Sequence, residues 1–366
     1  MFAQVQNPDH LEAQELDAYL AQGWFRMGQT IFTTNFIRFQ QQIHSTIWLR
    51  ILLDSYVADN TQVKLFKRNS EFRISFKLAE ITEEKEKLYS IYKQTVSFPA
   101  SDSLQFLLLD KRNNSEQPAT KTGSIFTTYE VNVHDGDRLI ACGFFDLGAV
   151  SAEGITSFYD PEYKKHSLGK YLIYLKIKFC KELGMQYFYP GYFVPGNPHF
   201  DYKLSIGNEV LQFLQLSTQT WEPIQTFLPE NIPYDVMRVK LLQVHEMLSA
   251  TGQYSKLLKY NFFDANFVQE MRDTGLLDFP ILLFCGVIDN VEPILVYDVR
   301  DGMYHLLTCV PAWKPFEVNS DEEFYSDYFL MPVAEIYRCE EGEEIGNFLI
   351  KLKNEVMKEG KATDDH

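Results

Sequence analysis

Leu168, Leu172, Leu175, Phe179 and Leu183 recur at i, i+4, i+7, i+11 and i+15, a single apolar stripe along one helix. Ser167 stands at its N-cap and Gly184 at the C′ position, so the spacing predicts a helix between them. Lys170, Lys178 and Lys181 fall on the far side, as a solvated face requires. Aromatic and β-branched runs flank the helix, Ile155–Tyr159 before it and Gln186–Tyr192 after it. A helix joining two strands of one sheet makes them parallel through a right-handed crossover. It also sets a helix N-terminus beside a strand end, a seat for a phosphate or another polar group.

The surrounding chain fits an α+β protein. Ser124–Val133 and Arg138–Val150 read as strands joined through His134-Asp135-Gly136-Asp137, because Asp-Gly readily takes positive φ. Ala152-Glu153-Gly154 reads as the next turn, completing an antiparallel meander before the crossover. Upstream, residues 8–22 read as an acidic helix closed by Gly23, residues 46–53 and 61–66 as strands, and 80–97 as a helix. Asn113–Gly123 is a polar loop. Residues 208–223 supply closing strands. Beyond them, Tyr234–Leu248, Ser255–Asp273 and Ile345–Glu359 read as helices, and Phe279–Val287, Glu292–Val299 and Met303–Val310 as strands. This gives three parts: 1–120 with a basic segment, a core at 121–228, and an acidic accessory unit at 229–366.

Charge follows that division. Residues 1–228 hold 22 Lys and Arg against 25 Asp and Glu, whereas the remaining 12 and 25 lie beyond, within a net charge of −16. The acidity argues against DNA as a partner, yet leaves the first two-thirds able to carry a basic cleft. Lys64, Lys67, Arg68, Arg73 and Lys77, opposed by Glu71 and interleaved with Phe66, Phe72 and Phe76, form either a phosphate-binding edge or a solvated face. The five cysteines are scattered with no CxxC, so no zinc site, other metal or disulfide framework is expected. No apolar run reaches the ~18 residues that span a bilayer, and the first residues lack signal-peptide character. A cytoplasmic protein without a membrane partner is the expectation.

The order meander, strand, Ser-Leu-Gly turn, helix, parallel strand resembles the GNAT-like acyltransferase fold. Particular residues sharpen the likeness: Phe158-Tyr159-Asp160-Pro161, Ser167-Leu168-Gly169 with Tyr171, Tyr187-Phe188-Tyr189 with Gly191-Tyr192, and Tyr202-Lys203. In identity and spacing they resemble the arginyl/leucyl-tRNA–protein transferases. Gly23-Trp24, Arg26 and Gly28 upstream, and Trp221 with Pro223 downstream, extend the resemblance over roughly 20–228. It implies an aminoacyltransferase that moves Arg or Leu from aminoacyl-tRNA to the α-amino group of a protein with an acidic N-terminal residue, marking it for degradation. It implies no cofactor, since the aminoacyl ester is already activated.

The roles that follow are these. Asp160, Tyr189 and Tyr192 would be catalytic. Ser167, Leu168, Gly169, Lys67, Arg68, Arg73 and Tyr202 would hold aminoacyl-tRNA, and Lys203, His199 and Arg26 the acceptor protein N-terminus. Single-stranded RNA ends are gripped by aromatic platforms and cations, which these residues supply. The chain departs from the family at three places, one of them just before Tyr202-Lys203, where Asn197, His199 and Phe200 stand instead of the family's Cys and Lys-Met. Thr33–Ser45 lacks its cysteine cluster, so no metal or redox role is expected there. Leu204–Glu209 lacks the cations that follow Tyr-Lys, and a carboxylate reader needs such partners. Two other readings remain: a non-catalytic binder of protein N-termini or tRNA, and a GNAT-like enzyme with another acyl donor. Acetyl-CoA fits poorly, because His166–Tyr171 lacks the glycine-rich pyrophosphate loop.

Overall fold

The computed structural model describes residues 1–39, 41–96, 100–109, 124–286, 292–313 and 323–364; the polar loop at Asn113–Gly123 lies outside them. In chain order the first part contains β1 (Ala3–Gln6), α1 (Ala13–Ala21), β2 (Phe25–Met27), β3 (Thr30–Thr34), β4 (Phe36–Phe39), β5 (Gln42–Ser45), β6 (Ile47–Leu52), α2 (Asn60–Arg68), β7 (Arg73–Leu78), α3 (Glu83–Lys93) and α4 (Leu104–Leu109). The middle contains β8 (Thr128–Asp135), β9 (Arg138–Leu147), β10 (Ser151–Tyr159), α5 (Leu168–Glu182), β11 (Tyr187–Phe193), α6 (Pro198–Asp201), β12 (Leu211–Gln215) and β13 (Thr220–Pro223). The last part contains α7 (Pro233–Ala250), β14 (Lys256–Tyr260), β15 (Ile281–Phe284), β16 (Pro293–Asp298), β17 (Met303–Pro311), β18 (Phe324–Tyr325), β19 (Leu330–Cys339) and α8 (Gly342–Asp364).

An eight-stranded sheet in the order β13-β12-β6-β11-β10-β9-β8-β7 forms the centre. Every neighbouring pair in it is antiparallel except β10 with β11, which α5 joins as a crossover. The protein is therefore α+β with a GNAT-like core. Strands before and after residue 120 contribute to this one sheet.

α5 forms where its stripe predicts it. Leu168, Leu172 and Leu175 are buried against the sheet, while Leu183 is exposed because the helix has ended. Its exit is a Schellman turn: Gly184 has φ +75°, its N–H bonds the Lys181 carbonyl, and Met185 N–H reaches Cys180 O. Its entry differs from expectation. Ser167 occupies the N-cap position in the left-handed region, φ 53°, and makes no side-chain cap bond. The hairpin at Gly136 forms as expected, with Asp135 opposite Arg138 and φ +58° at the glycine.

Four other expectations need correction. Thr61–Phe66 is helical, within α2: Asp59 caps it by accepting from Gln62 N–H at 2.6 Å, and Gln62 and Leu65 are its buried face. The turn placed at Ala152-Glu153-Gly154 lies earlier, where Asp17 of α1 accepts from Ala149 and Val150 N–H at 3.0 Å, and those three residues are strand. Ser255–Asp273 is β14 followed by short 3-10 turns, because Leu258 and Tyr260 alternate inward. β19 has no counterpart among the expected strands; it pairs with β17 along its whole length.

The last part builds a six-stranded sheet, β18-β14-β15-β16-β17-β19, covered by α7 and α8. Its core includes Phe2, Phe36 and Ile43 from the start of the chain. The segment where the resemblance lacks cysteines is thus largely a hairpin, β4–β5, packed into the C-terminal core. Tyr234 N–H donates to Ser45 Oγ at 2.9 Å, tying α7 to that hairpin.

Candidate functional site

β10 and β11 pair over three residues only, Ser151 with Tyr187, Ala152 with Phe188 and Glu153 with Tyr189. Past that point β10 continues beside β9 to Tyr159, and β11 beside β6 to Phe193. The centre of the sheet therefore opens between two strands. A bulge at Gly154–Thr156 marks the point where β10 departs, and Lys176 of α5 secures it from below. Its buried amine donates to Phe144 O at 2.8 Å, Thr156 O at 2.7 Å and Ser157 Oγ at 3.1 Å. Burial lowers the Lys176 pKa to about 7. Gly143 leaves room for it, since a Cβ there would stand 2.7 Å from Lys176 Cε.

Several expected site residues meet at this opening. Gly169, in the first turn of α5, lies against Tyr159; a Cβ on it would stand 3.4 Å from the ring. Tyr92 of α3 packs on Tyr159 with ring centroids 5.5 Å apart. The segment after β11 folds back over α5, with Lys170 Nζ donating to Ser205 Oγ at 3.0 Å. That segment carries Tyr202 and Lys203. Tyr202 is partly exposed, and desolvation of its hydroxyl, with Tyr92 nearby, raises its pKa to about 12. Lys203 Nζ donates to the Tyr192 carbonyl at 2.6 Å, on the part of β11 that β10 does not pair. The amine lies 5.4 Å from the ring centroids of both Tyr192 and Phe200. No carboxylate among the described residues pairs with it, and burial lowers its pKa to about 7. Gly191, with φ +83°, makes space, because a Cβ there would stand 3.3 Å from Lys203 Nζ. Tyr192 rests edge-on against Trp48 of β6 at 4.9 Å, and its own pKa is raised by burial.

A basic rim borders the entry to α5. Asn69 and His166 share two contacts of 3.1 Å, and Arg68 Nη1 donates to Lys165 O at 3.3 Å. Lys67 and Arg68 are thereby set beside Lys164 and Lys165, all four exposed. The last two are not among the residues expected from the sequence, although their place just before Ser167 marks them. Phe66, Phe72 and Phe76 point inward instead: Phe66 packs on Tyr171, Phe72 on Tyr163 and His166, and Phe76 on Phe179. They are core rather than stacking platforms.

Other expected residues are placed elsewhere. Arg73 lies exposed on edge strand β7, bonded to Gly136 O at 3.3 Å. Lys77, from the same run, pairs with Glu80 at 2.9 Å. Leu168 is fully buried. His199 is exposed in α6, its backbone N–H held by Asn197 Oδ1 at 3.2 Å. Tyr189 is buried on the sheet face opposite α5, edge-on to Phe25 and Trp221, with its pKa raised to about 12 by burial. Asp160 is buried and ion-paired to Arg138, while its other oxygen caps the following turn by accepting Glu162 N–H at 3.0 Å. Arg26 is buried too: its Nη1 meets both Asp146 oxygens at 2.9 Å, and its backbone N–H donates to Glu153 Oε2 at 3.2 Å. Neither Asp160 nor Arg26 offers a free charge to a ligand in this arrangement.

Away from the opening, Asp298, Asp301 and His305 on the C-terminal sheet come close enough to share a cation. Asp298 is already paired with Arg300 at 2.5 Å, and His305 lies between Asp301 at 3.0 Å and Glu335 at 2.5 Å. No helix among the described residues is long and apolar enough to cross a membrane.

Comparison with known proteins gives the following. The family model of the arginine-tRNA-protein transferase C terminus matches residues 82–212. An aspartate/glutamate leucyltransferase of Leptospira interrogans is 33% identical over 198 residues, covering 54% of this chain and 73% of that protein. One from Helicobacter hepaticus is 26% identical over 192 residues, covering 50% and 73%. Among solved structures, FemX is similar with a TM-score of 0.33 and 10% identity, over 56% of this chain and 68% of that one. The L-PGS of Bacillus licheniformis gives a TM-score of 0.30 at 12% identity, over 52% and 53%.

Proposed function

The chain belongs to the family of arginyl- and leucyl-tRNA–protein transferases, and from that membership we propose that it transfers an amino acid from aminoacyl-tRNA to the α-amino group of a protein N-terminus. The observation that carries the reading is the opening between β10 and β11, which places an amine-bearing, aromatic-lined wall opposite the start of α5. The names of the two leucyltransferase relatives support leucine as the donated residue and N-terminal Asp or Glu as the acceptor. Arginine is the other donor the family model supports. The transfer would mark the acceptor protein for degradation.

The chemistry asks little of the protein beyond placement. An N-terminal amine has a pKa near ~7.7–8.0, so a good fraction is neutral at physiological pH. The ester is activated, and holding amine against carbonyl supplies most of the acceleration. Tyr192, Phe200 and Tyr202 would stack the terminal bases, and the first turn of α5 at Ser167–Gly169 would receive the terminal adenosine. Lys67, Arg68, Lys164 and Lys165 would follow the phosphates. Asp160 acts indirectly, by fixing with Arg138 the turn that leads into α5.

The test is transfer from labelled Leu-tRNA and Arg-tRNA to peptides beginning with Asp, Glu, Ala or Lys. Transfer of leucine to the Asp and Glu peptides is the expected result; transfer from neither tRNA to any peptide overturns the reading and leaves a binding protein. The basic rim gives a separate prediction. Lys67→Ala with Arg68→Ala should weaken tRNA binding and reduce the slope of log affinity against log salt by about 2, since each phosphate contact contributes roughly one. Fluorescence anisotropy over a salt series reads that slope.

A further inference from the structure

Two lysines lie near the opening, Lys176 buried and Lys203 partly buried, and their surroundings differ. Lys176 has three oxygen acceptors for its three possible N–H bonds, so its amine is fully engaged in holding the bulge. Lys203 has one, the Tyr192 carbonyl, and is flanked by two aromatic rings with no acidic partner among the described residues. A neutral amine donating one hydrogen bond keeps its lone pair available. We propose that Lys203 is the proton acceptor for the attacking amine, a role that rests on the transferase reading and goes beyond holding the acceptor.

The wall around Lys203 fits that role. Gly191 removes the side chain that would crowd Nζ, and Tyr192 is itself braced by Trp48, so the carbonyl that holds the amine is fixed. The unpaired edge of β11 puts this amine where the sheet opens and a substrate can reach it. Burial that lowers its pKa to about 7 brings it close to the α-amino group it would serve, the match that general base catalysis favours.

The step balances within the site. The neutral acceptor amine adds to the ester carbonyl, forming the C–N bond and leaving an ammonium on nitrogen and a negative charge on oxygen. Lys203 takes one proton from that nitrogen. The carbonyl then re-forms, the bond to the ribose oxygen breaks, and the departing oxygen takes the proton back from Lys203. Amide and uncharged tRNA leave, and the lysine is returned neutral.

Single-turnover transfer measured against pH tests the assignment, using acceptor peptides whose α-amino groups differ in basicity. The wild-type rate should rise through a limb near 7 that stays fixed while the acceptor's own limb moves. Lys203→Arg, which carries a permanent charge and does not titrate, should lower the rate by about 10²–10⁴-fold and remove the fixed limb. Lys203→Ala should behave likewise and be rescued by added imidazole, which a merely structural role would not permit. Thermal unfolding of each variant confirms that it is folded before its rate is compared. Active variants that retain the fixed limb, or folded Lys203→Ala enzyme that imidazole does not restore, overturn the proposal while leaving the transferase reading intact. Wild-type protein that transfers nothing overturns both.

Discussion

Replacing Arg26 by methionine should lower the unfolding free energy by about 3–5 kcal/mol, the range found when one partner of a buried ion pair is removed. The guanidinium is almost fully buried and bonds both oxygens of Asp146, while the Arg26 backbone N–H donates to Glu153 Oε2. It also donates to Gly28 O at 2.7 Å and to the Leu108 carbonyl, joining β2, β9, β10 and α4. Without it the Asp146 carboxylate keeps the hydroxyl of Thr128 at 2.5 Å, in surroundings whose desolvation already raises its pKa. Pairing Arg26→Met with Asp146→Leu should restore part of the loss, because no uncompensated charge then remains buried. Urea unfolding of the three proteins checks this. A single variant as stable as wild type would show that the pair is not holding these elements.

The contrast between Arg26 and α5 shows what the sequence makes legible. The helix is written in local spacing, and Gly136 and Gly184 mark a turn and an exit by a conformation that few other residues adopt. Partners far apart in the chain leave no such mark. Arg26 meets Asp146 120 residues away, and Asp160 meets Arg138 across a hairpin, so both look like available charges in the sequence although neither is. Thr61–Phe66 looks extended because Thr61 and Val63 are β-branched, and the cap at Asp59 that starts α2 lies just outside that window. Within the site, Tyr202-Lys203 and Gly191-Tyr192 are readable as a motif. What is not readable is that Phe200 and Tyr92 come up to the same opening, since nothing in their local sequence sets them apart.

A pH-dependent loss of stability should trace to Glu153. Its carboxyl is buried, one oxygen accepts the Arg26 N–H, and the other has no hydrogen-bond partner. Desolvation first, and the neighbouring Asp146 second, push its pKa from 4.5 up to about 8. The folded state therefore holds a proton that the unfolded state releases. Stability contributed by the neutral acid is complete below about 4.5 and is lost as pH rises through about 8. At roughly 1.4 kcal/mol for each pH unit of that window, the loss is on the order of several kcal/mol. Lys176 and Lys203, lowered from 10.5 to about 7, act in the opposite direction between those two values. The informative quantity is therefore the difference between wild type and Glu153→Gln. The amide is neutral at every pH, so the variant should gain on wild type between about pH 4.5 and about pH 8 by denaturant unfolding and level off above. A constant difference would show that Glu153 is ionised in the folded protein throughout.

The hairpin β4–β5 also sets a schedule for the growing chain. Phe36 and Ile43 belong to a core whose other members extend to Ile345 and Leu349. At ~5–20 residues per second a ribosome needs roughly 15–60 s to deliver the intervening chain of about 300 residues. Throughout that interval the core around the hairpin is incomplete, its later members beginning at Tyr234. A nascent chain of this protein should hold binding sites for a chaperone at its beginning long after its central sheet can close. Ribosome stalling late in translation would release a species whose central sheet is formed and whose β4–β5 hairpin is without its core.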